Sequence, residues 1–448
     1  MMRASLTEGS IVNALYGMAL PMAVGLLATM SFNMVDTFFV SVLGEDALAA
    51  ISFTFPVMMM AISLSVGLGA GTSSVVARAA GRGDEEGIKS LTTDAMTLTF
   101  LLGLAFSVVG YLTIDPFFRA LGATEEVIPL IRSYMVPWYI SAVFLVGPMV
   151  GMASIRALGN TKLQGKLMIS MALANLILDP FLIYGWWIFP RMEIQGAAVA
   201  SLIVRVISLI ITLYLMHFRM RLFVNPFCVH RVLRSWKSIL HVGIPAMATN
   251  MIIPVSGSVV VALVASHGPE AVAGFGVATR VESMSLILFY ALSAVIGPFC
   301  GQNLGAGKFQ RIFDSQRISA WFCLYSGVAI AVLLAVFGRE IAGIFSEQPS
   351  VIEAARWYFL VVPFSYCAYG IVMVSNASFN GLGKPFPGVV ISLCRVIVIL
   401  LPLAWIGNQL WGVTGIFIAI AVSNMVVGLG AYVWVHRTIS AAQDLPVR

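Results

Sequence analysis

Runs of about 20 largely apolar residues recur along this chain, and few folds are open to a polypeptide built that way. Hydrocarbon offers backbone N–H and C=O groups no partners, so each run must satisfy its own hydrogen bonds as an α-helix. A membrane β-barrel would show shorter stretches of alternating polarity instead. Twelve runs can be delimited, at 13–40, 46–73, 90–114, 130–152, 163–186, 194–217, 236–265, 271–297, 315–338, 352–375, 386–407 and 413–436. Charged residues make up 10% of the chain, against about 25% in soluble domains. The expected fold is therefore an all-α integral membrane protein with twelve transmembrane helices.

The basic residues read as a topology signal rather than a nucleic-acid surface. Of 26 Lys and Arg, eighteen fall in connections on one side of the spans, from Arg3, Arg78 and Arg82 to Lys384 and Arg437. Three (Arg119, Arg191 and Arg339) fall on the other side, and five lie within spans. The positive-inside rule then puts both termini in the cytoplasm, as an even number of spans requires. The five cysteines form no CxxC pair and read as small core residues.

The chain also repeats itself, its second half echoing the first at a constant offset. Ala19-Leu20-Pro21 matches Gly243-Ile244-Pro245, Gly81-Arg82-Gly83 matches Gly305-Ala306-Gly307, and Ala157-Leu158-Gly159 matches Gly381-Leu382-Gly383. Six spans per half make both halves enter from the same side, so a pseudo-twofold axis along the membrane normal should relate two six-helix lobes. The expected division is an N-lobe over 1–217, a basic linker over 218–235, a C-lobe over 236–437 and a tail over 438–448.

The halves differ in their acids. Asp36 in span 1 and Asp179 in span 5 have apolar counterparts in the second half, Val260 and the stretch around Leu403. Both lie about two turns below the outer ends of their spans, roughly 10 Å deep at about 1.5 Å per residue. Asn175 precedes Asp179 by four residues, and Asn33 precedes Asp36 by three, so each amide shares a helix face with its acid. Burial penalises a charged carboxylate, and a second carboxylate nearby adds to the penalty. Such a pair binds a proton or a cation. Tyr139 and Ser201 are candidate polar neighbours, and Tyr134 and Met34 candidate walls of a substrate cavity. Pro21 shares span 1 with Asp36 and is placed to bend it. Arg205, Arg280, Glu282 and Arg395 also lie within spans, and each needs a partner from another helix; Asp94 and Asp115, near span ends, read as solvated.

With Pro21 and Asp36 in span 1, Asn175…Asp179-Pro180 in span 5 and Gln302-Asn303-Leu304-Gly305-Ala306-Gly307 after span 8, the whole chain resembles the MATE (multidrug and toxic compound extrusion) family, in its DinF-like prokaryotic branch. The resemblance implies a V-shaped two-lobe exporter of drugs or organic cations that alternates its access and runs on an H⁺ or Na⁺ gradient. It implies a coupling site at Asp36, Asn175 and Asp179, bending at Pro21, no cofactor, and a monomer in contact with membrane lipids in the bacterial inner membrane. Some relatives with a proposed Na⁺ site carry a hydroxyl in span 6, where this chain reads Gly196-Ala197-Ala198-Val199-Ala200 with Ser201 beyond. The expected coupling ion is therefore H⁺. A lipid-linked precursor flippase is the alternative, disfavoured by twelve spans and the acidic pair. No nucleophile–base pair or histidine cluster points to an enzyme.

Overall fold

Helix formation does not stop where the apolar runs stop, because Ala, Glu, Arg and Gln propagate a helix into the headgroup region at little cost. The computed structural model describes residues 6–41, 45–186, 190–224 and 229–443, and its helices mostly outgrow the runs that predict them. The first half holds α1 (Ile11–Ser41), α2 (Glu45–Arg82), α3 (Glu85–Leu112), the short α4 (Ile114–Ala120), α5 (Ile128–Ala157), α6 (Lys162–Tyr184) and α7 (Ile194–Tyr214). The second half holds α8 (Val229–Ala265), α9 (Pro269–Ser285), α10 (Ile287–Gly305), α11 (Phe309–Phe345), α12 (Pro349–Val361), α13 (Tyr366–Gly381), α14 (Phe386–Leu393) and α15 (Leu401–Gln443). No strand occurs among the described residues.

Eleven stretches among the described residues are long and apolar enough to cross a membrane. The last, Phe386–Gln443, runs for 58 residues. As one helix it would be about 87 Å long, against a hydrocarbon core of about 30 Å. Trp411 and Gly412 break it, with Gly412 at φ 57° and ψ −137°. The break is a tight reversal: a Cβ on Gly407 would lie 2.5 Å from the Gly415 carbonyl oxygen. Two passes therefore leave from this stretch, which restores the expected twelve. In the first half Glu193 introduces α7 in nearly the same conformation, φ 51° and ψ −130°.

By internal contacts the chain divides into two compact units. Among the described residues, one comprises Leu20–Met247, and the other comprises residues 6–19 with Ala248–Arg448 up to residue 443. These boundaries differ from the chain-order division expected at 217 and 236. The change of unit falls inside α1, beside Pro21, and inside α8, just beyond Pro245. These are the prolines that the internal repeat makes equivalent.

The segment before each of these helices is tied into a unit by polar side chains. Ahead of α1, the Leu6 N–H donates to Gln302 (3.1 Å), and its carbonyl accepts from Asn303 and Arg311 (both 3.2 Å). Lys308 and Arg311 donate to the carbonyls of Thr7 and Gly9, both at 2.8 Å. All of these belong to the second unit. Ahead of and within α8, Val224 donates to Thr93, Trp236 to the Asp94 carbonyl, and Arg231 pairs with the Asp94 carboxylate at 3.4 Å. Asp94 is thus a buried, paired residue and not the solvated one its place near a span end suggests. Asp115 is partly exposed and pairs with Arg132 at 3.0 Å.

Candidate functional site

Two close approaches fix α1 against α6. Near the start, Gly165 leaves no room for a side chain: a Cβ there would collide with the Pro21 carbonyl oxygen, and one on Gly25 would lie 3.1 Å from the Gly165 Cα. Near the far end, the Tyr184 hydroxyl donates to the Phe39 carbonyl (3.0 Å), and the two rings meet edge to face at 6.3 Å. Asp36 lies three residues before Phe39 and Asp179 five before Tyr184. Helices held at both points bring the two acids to one level.

Asp179 is fully buried, and neither of its carboxylate oxygens has a hydrogen-bond donor. Asn175 is also buried, with an unpartnered amide oxygen one turn away. Asp36 is half-buried and acts electrostatically on Asp179. Tyr134 of α5, buried, lies within the electrostatic reach of Asp36, Asp179 and Arg205 together. Arg205 of α7 acts on Asp36 in turn. It is held by a hydrogen bond to the Ser141 hydroxyl and by the Trp138 ring, whose centroid is 5.4 Å from its guanidinium carbon. Tyr134 and Trp138 belong to a buried cluster with Ile183, Ile194 and Ala197, which walls the group with apolar side chains. A carboxylate in such a place, without donors, is costly as a bare anion. The group can take up a proton or a small cation and release it.

Of the residues singled out in the sequence, Asp36, Asn175, Asp179 and Tyr134 come together. Ser201 is half-buried one turn before Arg205 on α7. Asn33 and Met34 lie on the exposed side of α1. Tyr139 turns to α3: its ring occupies the space where a Cβ on Gly110 would sit, and its carbonyl accepts from Ser107 at 2.6 Å. It contributes packing there and not a polar neighbour to the acids. Sequence reasoning missed Arg205 and Ser141 as members of the group. Their partnership joins α5 to α7 across two loops, and no local pattern reports it.

A second polar group occupies the second unit. The Tyr358 hydroxyl donates to Glu282 at 2.6 Å. Arg395 donates to Asn424 (3.2 Å) and lies 4.7 Å above the Tyr369 ring, and Asn424 donates onward to Ser365 (3.0 Å). Arg280, the fourth charge within a span, is exposed.

Comparison with known proteins returns one consistent kinship. The family model MatE matches residues 21–181 and again 245–406, one match on each half of the internal repeat, starting at Pro21 and at Pro245. The FAD transporter of Shewanella oneidensis is 39% identical over 436 residues, covering 97% of this chain and 96% of the relative. A probable multidrug resistance protein of Bacillus subtilis, YoeA, is 26% identical over 89% of this chain and 88% of its own length. The crystal structure of the Vibrio cholerae MATE transporter VcmN in the bent form superposes with a TM-score of 0.92 at 30% identity, covering 98% of both chains.

Proposed function

The chain belongs to the MatE family, a multi-pass membrane transporter and not an enzyme, and on that footing we propose that it is a proton-driven exporter whose coupling site is the Asp36–Asp179 group. The observation that carries this reading is the Asp179 carboxylate, fully buried, without a donor, and under the influence of a second acid. An incoming proton neutralises one negative charge of a group that otherwise holds two carboxylates against one guanidinium. Inward passage of that proton is worth about 2.3 kcal/mol per 100 mV of membrane potential. Asn175 and Tyr134 offer hydrogen-bonding atoms to whichever protonation state is present. Bending of α1 at Pro21 would link proton uptake to access, and H⁺ is favoured over Na⁺ because the stretch 196–200 of span 6 carries no hydroxyl.

For the cargo, the relative named an FAD transporter is 39% identical, whereas those named for multidrug resistance or export, such as YoeA and MepA, are 26% and 24% identical. This favours a flavin dinucleotide, an aromatic and anionic molecule, over the organic cations expected from the acidic pair. The drug-export reading stays as the second, supported by several relatives of that name. The test uses purified protein in liposomes, with proton release recorded when FAD or a lipophilic cationic dye is added, with and without Na⁺. Release on FAD addition, independent of Na⁺ and lost in Asp36→Asn, is the expected result. Release that needs Na⁺, or that survives in Asp36→Asn, overturns the coupling assignment; release with the dye alone overturns the flavin assignment.

A further inference from the structure

Within the second unit, a groove of about 850 Å³ runs between the start of α14 and the last turns of α15. Its wall along α15 is apolar, and Leu429 and Val433 are 69% and 42% exposed. In a membrane-spanning helix such exposure is toward acyl chains. At one end the wall gives way to Lys384 and Arg437, with Thr438 beside them. Trp434 also lines the groove and is seated edge to face on Phe379 at 6.2 Å. From Leu429 to Arg437 is about 12 Å along a helix. Both basic side chains are exposed, and among the described residues no carboxylate pairs with either. Lys384 is held in place by its backbone, whose N–H donates to the Phe379 carbonyl at 3.0 Å.

A neighbouring groove of about 520 Å³ shares Leu429 and carries a third cation, Arg317. The order of features follows a lipid along its length: apolar wall, aromatic at the boundary, then two cations. Lys384 and Arg437 also fall in the basic set that the sequence assigns to the cytoplasmic side, the leaflet whose anionic lipids attract such clusters.

We propose that this groove binds one phospholipid with an anionic headgroup, its phosphate between Lys384 and Arg437 and an acyl chain along Leu429 and Val433. A zwitterionic lipid matches the wall but supplies no net charge to the two cations. Removing both cations should weaken anionic-lipid binding roughly 30-fold, about fivefold for each basic side chain near the surface.

The experiment is native mass spectrometry of the full chain in detergent, titrated with phosphatidylglycerol or phosphatidylethanolamine. Wild type is compared with Lys384→Gln/Arg437→Gln and with a control, Arg234→Gln/Lys237→Gln, two exposed cations on α8 that do not line the groove. Preferential binding of phosphatidylglycerol, lost in the groove variant and kept in the control, is expected. Equal binding of the two lipids by wild type, or an equal loss in the control, overturns the proposal. A third variant, Leu429→Trp, fills the wall without touching charge, and an undiminished phosphatidylglycerol signal there counts against seating of the acyl chain.

Discussion

The polar group of the first unit and that of the second are built on the same framework and finished differently. Tyr134 and Tyr358 are separated by the same interval as Pro21 and Pro245, and so are Ser141 and Ser365. The repeat therefore supplies each group with an equivalent tyrosine and serine. The charges come from unrelated positions. In the first unit Asp36, Asp179 and Arg205 sit on α1, α6 and α7. In the second, Glu282 sits on α9, Arg395 follows α14, and Asn424 sits on α15. In the second unit every one of these side chains has a partner: Glu282 has Tyr358, Arg395 has Asn424 and Tyr369, and Asn424 has Ser365 as well. In the first, Asp179 has none for either oxygen. A satisfied buried network rigidifies a fold, whereas an unsatisfied buried acid has capacity left for a ligand. The same scaffold thus carries a partnered polar network in one unit and an unpartnered buried acid in the other.

The sharpest way to break this contrast is to neutralise the acids. Asp179→Asn should reduce substrate-driven proton release in liposomes to background, whereas Glu282→Gln should keep most of the wild-type rate. Equal loss in both would mean that the second group also couples. Stability should show the reverse order. Glu282→Ala leaves the Tyr358 hydroxyl without its acceptor and should cost about 1–3 kcal/mol, read as a lowered melting midpoint in detergent. Asp179→Ala removes an acid that no donor stabilises and should cost less. The smallest effect distinguishes the tyrosines: Tyr358→Phe loses a hydrogen bond to a charged group, about 1.5–3 kcal/mol, while Tyr134→Phe should fall below that in the same melting assay.

Much of this was legible in the sequence. The helices, the doubling of the chain and the asymmetry of Asp36 and Asp179 all follow from periodicity and from charge in apolar runs. Helix ends were not, because α2 continues through Arg82 and α11 from Phe309 to Phe345, where side-chain polarity changes but backbone propensity does not. Asp94 was misread for a related reason. Position near a span end implies water unless another segment covers it, and Arg231 and Trp236 come from beyond the sixth span. Tyr139 and Arg205 show the other limit: which face of α5 a tyrosine takes depends on Gly110, and the partner of Arg205 lies on α5, two spans earlier. The equivalence of Tyr134 with Tyr358 and of Ser141 with Ser365 was present in the sequence all along, and it marks both polar groups at once.

The strap ahead of α1 has a consequence of a different kind. Lys308 and Arg311 grip the carbonyls of Thr7 and Gly9, and Asn303 and Arg311 grip that of Leu6, atoms that every residue type carries. The exposed side chain of Glu8 can therefore drift among related sequences while the grip persists. Inserting or deleting one residue between Leu6 and Gly9 shifts every carbonyl out of register at once. Related chains should vary at Glu8 and hardly at all in the length of this segment, with the constraint recorded far along the chain, in Asn303, Lys308 and Arg311.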